Sequence, residues 1–266
     1  MLIDDSFYHQ ELAGVDKRNI ELPLFPAVQL AIAGPWLASS FYQYSRWDNR
    51  LRKYLGGKKR TLVREHSFRY DAGFGQLPGH LLLDGFFQTE RYFADCPELI
   101  ADTFRFPAFA PDDPNTSFLR LIESSRSVSV HVRRGDYVKF ASTNAIHGTC
   151  SPAYYKNAMD LIRERFADAR FFFFSDEPDW VKENLAQGGG TVIAVNTGKD
   201  SWKDMYLMSR CQHHIIANSS FSWWGAWLNR GKEKMIVAPE KWFRTTDPFY
   251  DTTDLLPAGW IKLPND

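Results

Sequence analysis

From residue 127 to residue 239 the chain alternates short apolar runs with segments whose apolar residues recur at helical spacing, and this alternation restricts the fold more than any other feature. Strands are expected over 128–132, 170–174, 191–195, 215–217 and 235–238, with helices over 151–165, 179–185, 203–211 and 222–228. Strands separated by helices run parallel, wound by right-handed crossovers, so this half of the chain is expected to be α/β and Rossmann-like. Ser151 followed by Pro152 marks a helix start, serine as N-cap and proline at the first helical position.

Open α/β sheets bind ligands outside the carboxyl ends of their strands. The first strand of this half has Val128, Val130 and Val132 alternating with Ser129 and His131, the period of a pleated strand, and it ends in Arg133, Arg134, Gly135 and Asp136. Arginine presents a fork of donors that suits phosphate oxygens, and Gly135 permits a tight turn. Two further strand ends carry polar groups to the same edge: Asp176 with Glu177, and Asn218 with Ser219, Ser220 and Ser222. The latter group opens a helix, whose free N–H groups favour an anion. The expected ligand is a nucleotide diphosphate bound without metal, since no Asp-x-Asp triplet occurs in the chain.

Two segments carry more than composition. The run His131-Val-Arg-Arg-Gly-Asp-Tyr137 and the turn Asn218-Ser-Ser-Phe-Ser-Trp-Trp224 resemble the two most specific motifs of the α1,2-fucosyltransferases, with a looser likeness over residues 1–245. The resemblance implies a GT-B-like enzyme in which two Rossmann-like domains face a cleft. It would move L-fucose from GDP-β-L-fucose to the 2-hydroxyl of a galactose-terminated glycan, with inversion and without cofactor. It further implies that Arg133 contacts the donor diphosphate with Arg134 beside it, that His131 lies near the guanosine, and that Asp204 reads the guanine N1–H and N2–H₂ edge. Members usually begin with a strand, a Gly-Gly-Leu-Gly-Asn-Gln loop and a helix, and Leu2 to Phe7 matches their second strand. The N-terminal domain is therefore expected to be incomplete, and the less stable of the two.

Each residue has a plainer reading. His131 could be a core histidine, Asp204 a charge favouring a helix N-terminus, Asp176 a helix cap, and Trp223, Trp224 and Trp227 a core face. Flanked by both arginines, Asp136 suits orienting Arg133 or Arg134 better than accepting a proton. The catalytic base stays open between the first domain, Glu177 and none at all. A transferase of another linkage, such as α1,6, and a non-catalytic binder of GDP or a GDP-sugar are the alternatives. An adhesive Arg-Gly-Asp loop conflicts with the strand-end placement.

The formal net charge is zero, so no global field draws nucleic acid or an anionic membrane, and any anion site must be local. Cys96, Cys150 and Cys211 are widely spaced, as in a reducing compartment without structural metal. Met1-Leu2-Ile3 runs directly into Asp4 and Asp5, unlike a signal peptide. A cytoplasmic protein is expected, at most peripheral to the inner face of the membrane, with a free or lipid-linked glycan as acceptor.

In the first half, an extended segment is expected over 20–25, a helix over 41–56 closed by Gly56, Gly57 and a basic run, a strand over 61–70, a buried strand over 80–87 and a helix over 92–105. Prolines 107, 111 and 114 punctuate a linker, and a helix over 118–125 precedes the strand at 128. The boundary is placed near residue 126, giving an acceptor-side domain over 1–126 and a donor-side domain over 127–266.

Overall fold

The computed structural model describes residues 2–4, 20–42, 50–51, 54–56, 60–77 and 79–266. They form two compact units, Met1–Arg105 with Asp247–Leu255 and Phe106–Thr246 with Leu256–Asp266. The division falls before the linker rather than at 126, because the helix after the linker packs into the second core: Ile122 is fully buried in one cluster with Phe172, Phe174, Leu207 and Met208.

Among the described residues, the first unit has two separate parallel pairs instead of one wound sheet. They are β1 (Leu2–Ile3) with β2 (Ala31–Ile32) and β3 (Arg60–Arg64) with β4 (His80–Asp84). The strand expected as buried over 80–87 ends at Asp84 and leaves Leu83 45% exposed. Residues 22–24 form a 3₁₀ turn around Pro23 in place of extended chain. The helix expected over 41–56 lies largely outside the described residues, while α1 (Pro35–Tyr42) precedes it and α2 (Pro97–Thr103) follows β4. Cohesion in this unit is aromatic: buried Phe68 meets Phe86, Phe249 and Tyr250 at centroid distances of 5.4–5.7 Å.

The second unit is wound as expected. Helix α3 (Asn115–Glu123) leads into β5 (Ser127–Val132), followed by two short helices, α4 (Gly135–Lys139) and α5 (Ala141–His147). Then come α6 (Pro152–Arg165), β6 (Arg170–Ser175), α7 (Pro178–Asn184), β7 (Thr191–Ile193), α8 (Trp202–Arg210), β8 (His213–Ile215), α9 (Ser220–Trp227), β9 (Ile236–Pro239) and β10 (Ile261–Leu263). Ser151 caps α6 by accepting from the Tyr154 amide.

The sheet order is β7-β6-β5-β8-β9-β10, parallel throughout. Counted from the first strand of this unit, that is 3-2-1-4-5-6, the winding of dinucleotide-binding sheets. Both faces are covered. Val128, Val130, Phe171 and Phe173 join Tyr154, Tyr155 and Ile162 of α6 on one side, while Phe172 and Phe174 pack under α3 and α8 on the other. All six residues of β5 are consequently buried. The winding reverses between β5 and β8, and Arg133 and Asn218 follow their carboxyl ends, the edge at which sheets of this winding bind ligands.

Candidate active site

Strand β5 carries His131 within it and delivers Arg133 and Arg134 just past its end. The Arg133 guanidinium is held by two carboxylates, Nη2 at 2.6 Å from Asp136 Oδ1 and Nη1 at 3.0 Å from Asp176 Oδ2, and it lies 5.5 Å from the Tyr137 ring centroid. Arg134 pairs through Nε with Glu177 Oε2 at 2.9 Å and stacks on Trp180 at 4.0 Å. Its amide donates to Asp176 Oδ1 at 3.0 Å, so Asp176 ties both arginines to the end of β6. Both Arg133 contacts are ion pairs by distance, and among the described residues Asp136 Oδ1 accepts no hydrogen bond despite its 2.6 Å approach.

Gly135 is glycine for space, not for a left-handed backbone. A Cβ there would lie 2.7 Å from Asp176 Oδ2 and 3.1 Å from its Cγ, a carboxylate that cannot yield without leaving Arg133. Gly135→Ala should destabilise the protein by about 1–3 kcal/mol, the usual cost of overpacking. Urea unfolding checks this, and an unchanged midpoint would mean that Asp176 moves freely.

His131 is buried, 5.5 Å from the Phe221 ring, and its Nδ1 has no hydrogen-bond partner among the described residues. Burial, aided by Arg133, pushes its pKa down to about 3, so the ring is neutral. Tyr137 stacks on His147 at 4.6 Å and 15°. The His147 Nδ1 is likewise buried without a partner, and burial lowers that ring's pKa as well.

The turn after β8 divides its duties. Asn218 is fully engaged: Nδ2 donates to the carbonyls of His147 at 2.9 Å, Trp242 at 3.2 Å and Gly148 at 3.4 Å, and Oδ1 accepts from Cys150 Sγ at 3.6 Å. Ser222 Oγ donates back to the Ser219 and Ala217 carbonyls. These two side chains, expected to contact a ligand, instead hold the turn. The Ser219 hydroxyl makes no capping bond, Ser220 is exposed, and the Ser220, Phe221 and Ser222 amides have no backbone acceptor among the described residues. The amides, rather than the side chains, are thus the donors left at the N-terminal end of α9.

Asp204 stands in the first turn of α8. Its Oδ1 accepts from Asn196 Nδ2 at 2.7 Å, and burial pushes its pKa up to about 7 against that hydrogen bond. The pattern for glycosyl transferase family 11 matches residues 40–263. The chain belongs to this family.

Among the relatives of this family 11 chain, an alpha-1,2-colitosyltransferase of Escherichia coli is 37% identical over 194 residues, 71% of this chain and 64% of that protein. A galactoside alpha-(1,2)-fucosyltransferase 1 of Leontocebus fuscicollis is 31% identical over 160 residues, 57% of this chain and 44% of that protein. The matched regions thus span from under half to just under two thirds of these relatives. A solved structure of NodZ alpha-1,6-fucosyltransferase, soaked with GDP-fucose, superposes with a TM-score of 0.37 at 19% identity over 75% of this chain and 68% of that one, too distant a likeness to assign any residue.

In the family 11 chain, ion pairs join Arg133 to Asp136 and Asp176 and Arg134 to Glu177, the Arg134 amide links the two sets through Asp176, and His131 reaches the α9 end through Phe221. Asp204 belongs to a separate network with Asn196 and Asn115. Sequence reasoning missed Trp180, Tyr137 as a stacking partner, and Asn196. Asn196 had a readable signal, a lone amide just past an expected strand end. Among the described residues no cluster of three or more His, Cys, Asp or Glu is placed to hold a metal, and no helix is long and apolar enough to cross a membrane.

Proposed function

We propose that the chain transfers L-fucose from GDP-β-L-fucose to the 2-hydroxyl of a galactose-terminated glycan, with inversion and without a metal. The observation that carries this reading is the pre-oriented Arg133 at the winding reversal of a 3-2-1-4-5-6 sheet in a family 11 chain. The acceptor oxygen attacks the anomeric carbon as the bond from that carbon to the β-phosphate oxygen breaks, GDP departs from the opposite side, and the acceptor hydroxyl's proton is released to water. Charge develops on the diphosphate, where Arg133 and the α9 amides meet it in the transition state. Asp204 accepts from the guanine edge, Arg134 supports Arg133, and His131 and Asp136 shape the pocket. In this reading the acceptor is a free or lipid-linked glycan at the cytoplasmic side of a membrane.

Colitose, fucose lacking its 3-hydroxyl, is the second donor worth testing, because a colitosyltransferase shares 37% identity with this chain. Thermal shifts with GDP, UDP and ADP in EDTA, followed by transfer from GDP-fucose and GDP-colitose to a β-galactoside, test the reading. A ligand at a hundred times its Kd stabilises the folded state by roughly 2.7 kcal/mol. A shift for GDP above the others, with a 2-linked product, is expected. A shift without transfer would favour a non-catalytic binder, an α1,6 product would move the linkage, and no shift with any nucleotide would overturn the reading.

A further inference from the structure

The carboxylate of Asp204 is the last link of a hydrogen-bond chain whose direction is set at its far end. Lys203 can only donate, and its Nζ lies 2.8 Å from Asp113 Oδ2. Asp113 accepts through Oδ1 from the Asn115 amide at 2.9 Å and from Asn115 Nδ2 at 2.8 Å. Asn115 gives its other Nδ2 hydrogen to Asn196 Oδ1 at 2.8 Å and takes one from Asn196 Nδ2 at 2.9 Å. The remaining Asn196 hydrogen goes to Asp204 Oδ1 at 2.7 Å. All four amide hydrogens are used, and flipping either amide would set oxygen against oxygen. Asn115 is buried, so such a mismatch would be costly.

This chain leaves Asp204 Oδ1 an acceptor in either protonation state, so any proton must sit on Oδ2. Ionised, the group offers two acceptors side by side, matching the adjacent N1–H and N2–H₂ donors of guanine. Protonated on Oδ2, it offers a donor beside an acceptor, which matches the N1 and N6–H₂ of adenine. We propose that Asn196, locked by Asn115, is a positioning residue that fixes how Asp204 presents its oxygens and thereby sets a preference for guanine over adenine. The inference rests on the donor-site reading of Asp204. The charges around it are Lys203 and Asp200 on its own segment and Asp113 opposite. Lys203 pairs with both acids, at 2.8 Å with Asp113 and 3.2 Å with Asp200, and burial and Asn196 remain the influences that set the Asp204 titration.

The test is the affinity of the wild type, Asn196→Ala and Asn115→Ala for GDP, IDP and ADP by calorimetry from pH 5.5 to 8.5. Asn196→Ala should bind GDP about tenfold more weakly, the scale of one charge-assisted hydrogen bond, and lose about tenfold in its GDP over ADP ratio. The pH below which GDP binding weakens should move upward from about 7, because a bond favouring the ionised form is gone. Asn115→Ala, one link further away, should shift the same quantities in the same direction by less, and it keeps the test alive if Asn196→Ala folds poorly. Equal weakening of GDP and ADP with an unmoved pH midpoint would reduce Asn196 to a structural role and overturn the inference alone. A wild type indifferent to GDP would overturn the donor reading, and this inference with it.

Discussion

Replacing Arg133 with alanine should lower the rate of sugar transfer by about a hundredfold to a thousandfold, the usual loss when one group that stabilises developing charge is removed. The side chain also separates two acids, since Asp136 and Asp176 approach it from either side at 2.6 and 3.0 Å. Its loss would leave both without their counterion, so a fall in stability would accompany the fall in rate. Arg133→Lys separates the two effects. Lysine keeps the positive charge between the acids but lacks the planar fork, so the melting temperature should recover more than kcat does. Asp136→Asn should loosen the orientation of Arg133 without removing its charge and cost less than Arg133→Ala. Steady-state transfer measured beside thermal melts decides the matter. An Arg133→Ala rate within a few-fold of wild type, in a folded protein, would remove Arg133 from the transition state.

The parts of this molecule that were legible in the sequence are those whose causes are local or periodic. Ser151-Pro152 announces its helix because capping needs only neighbours in the chain, and the Ser151 hydroxyl indeed accepts from Tyr154. The alternation of β5 and the phenylalanine run of β6 show as strands because both faces of a parallel sheet are covered. Partners far away in sequence are another matter. Gly135 could be seen to matter, but not that its missing Cβ makes room for Asp176, 41 positions on. Asn218 sat in the right motif, yet its amide is consumed by the carbonyls of His147, Gly148 and Trp242, which no spacing rule reveals. The linker helix reads as the end of one domain until Ile122 is found inside the core of the next. In the first unit, short half-exposed strands and contacts such as Phe68 with Phe249 leave little periodic signal to read.

Asp204→Asn should weaken GDP binding by about a hundredfold or more at pH 8 while changing ADP binding far less. In the proposed donor site two hydrogen bonds from the guanine edge to an ionised acceptor are at stake, each worth roughly 1.5–3 kcal/mol, and the asparagine amide places a donor where one acceptor was. The wild type should also show a pH dependence that the variant lacks. Burial holds the Asp204 pKa up to about 7, so on the proposed donor reading a proton must leave below that pH before guanine binds, and GDP affinity should fall by about tenfold for each further pH unit. Stability moves in the opposite sense. An unfolded chain releases this proton near the ordinary 3.8, whereas the folded protein keeps it until about 7, so the nucleotide-free protein loses stability as pH rises across that window. Asp204→Asn should therefore raise the melting temperature more at pH 8 than at pH 5. Equal gains at both pH values would mean that Asp204 titrates as an ordinary carboxylate. A larger gain at pH 8 together with lost guanine selectivity would tie both effects to one cause: a buried acid that is costly to ionise in the empty protein and that binds guanine only once ionised.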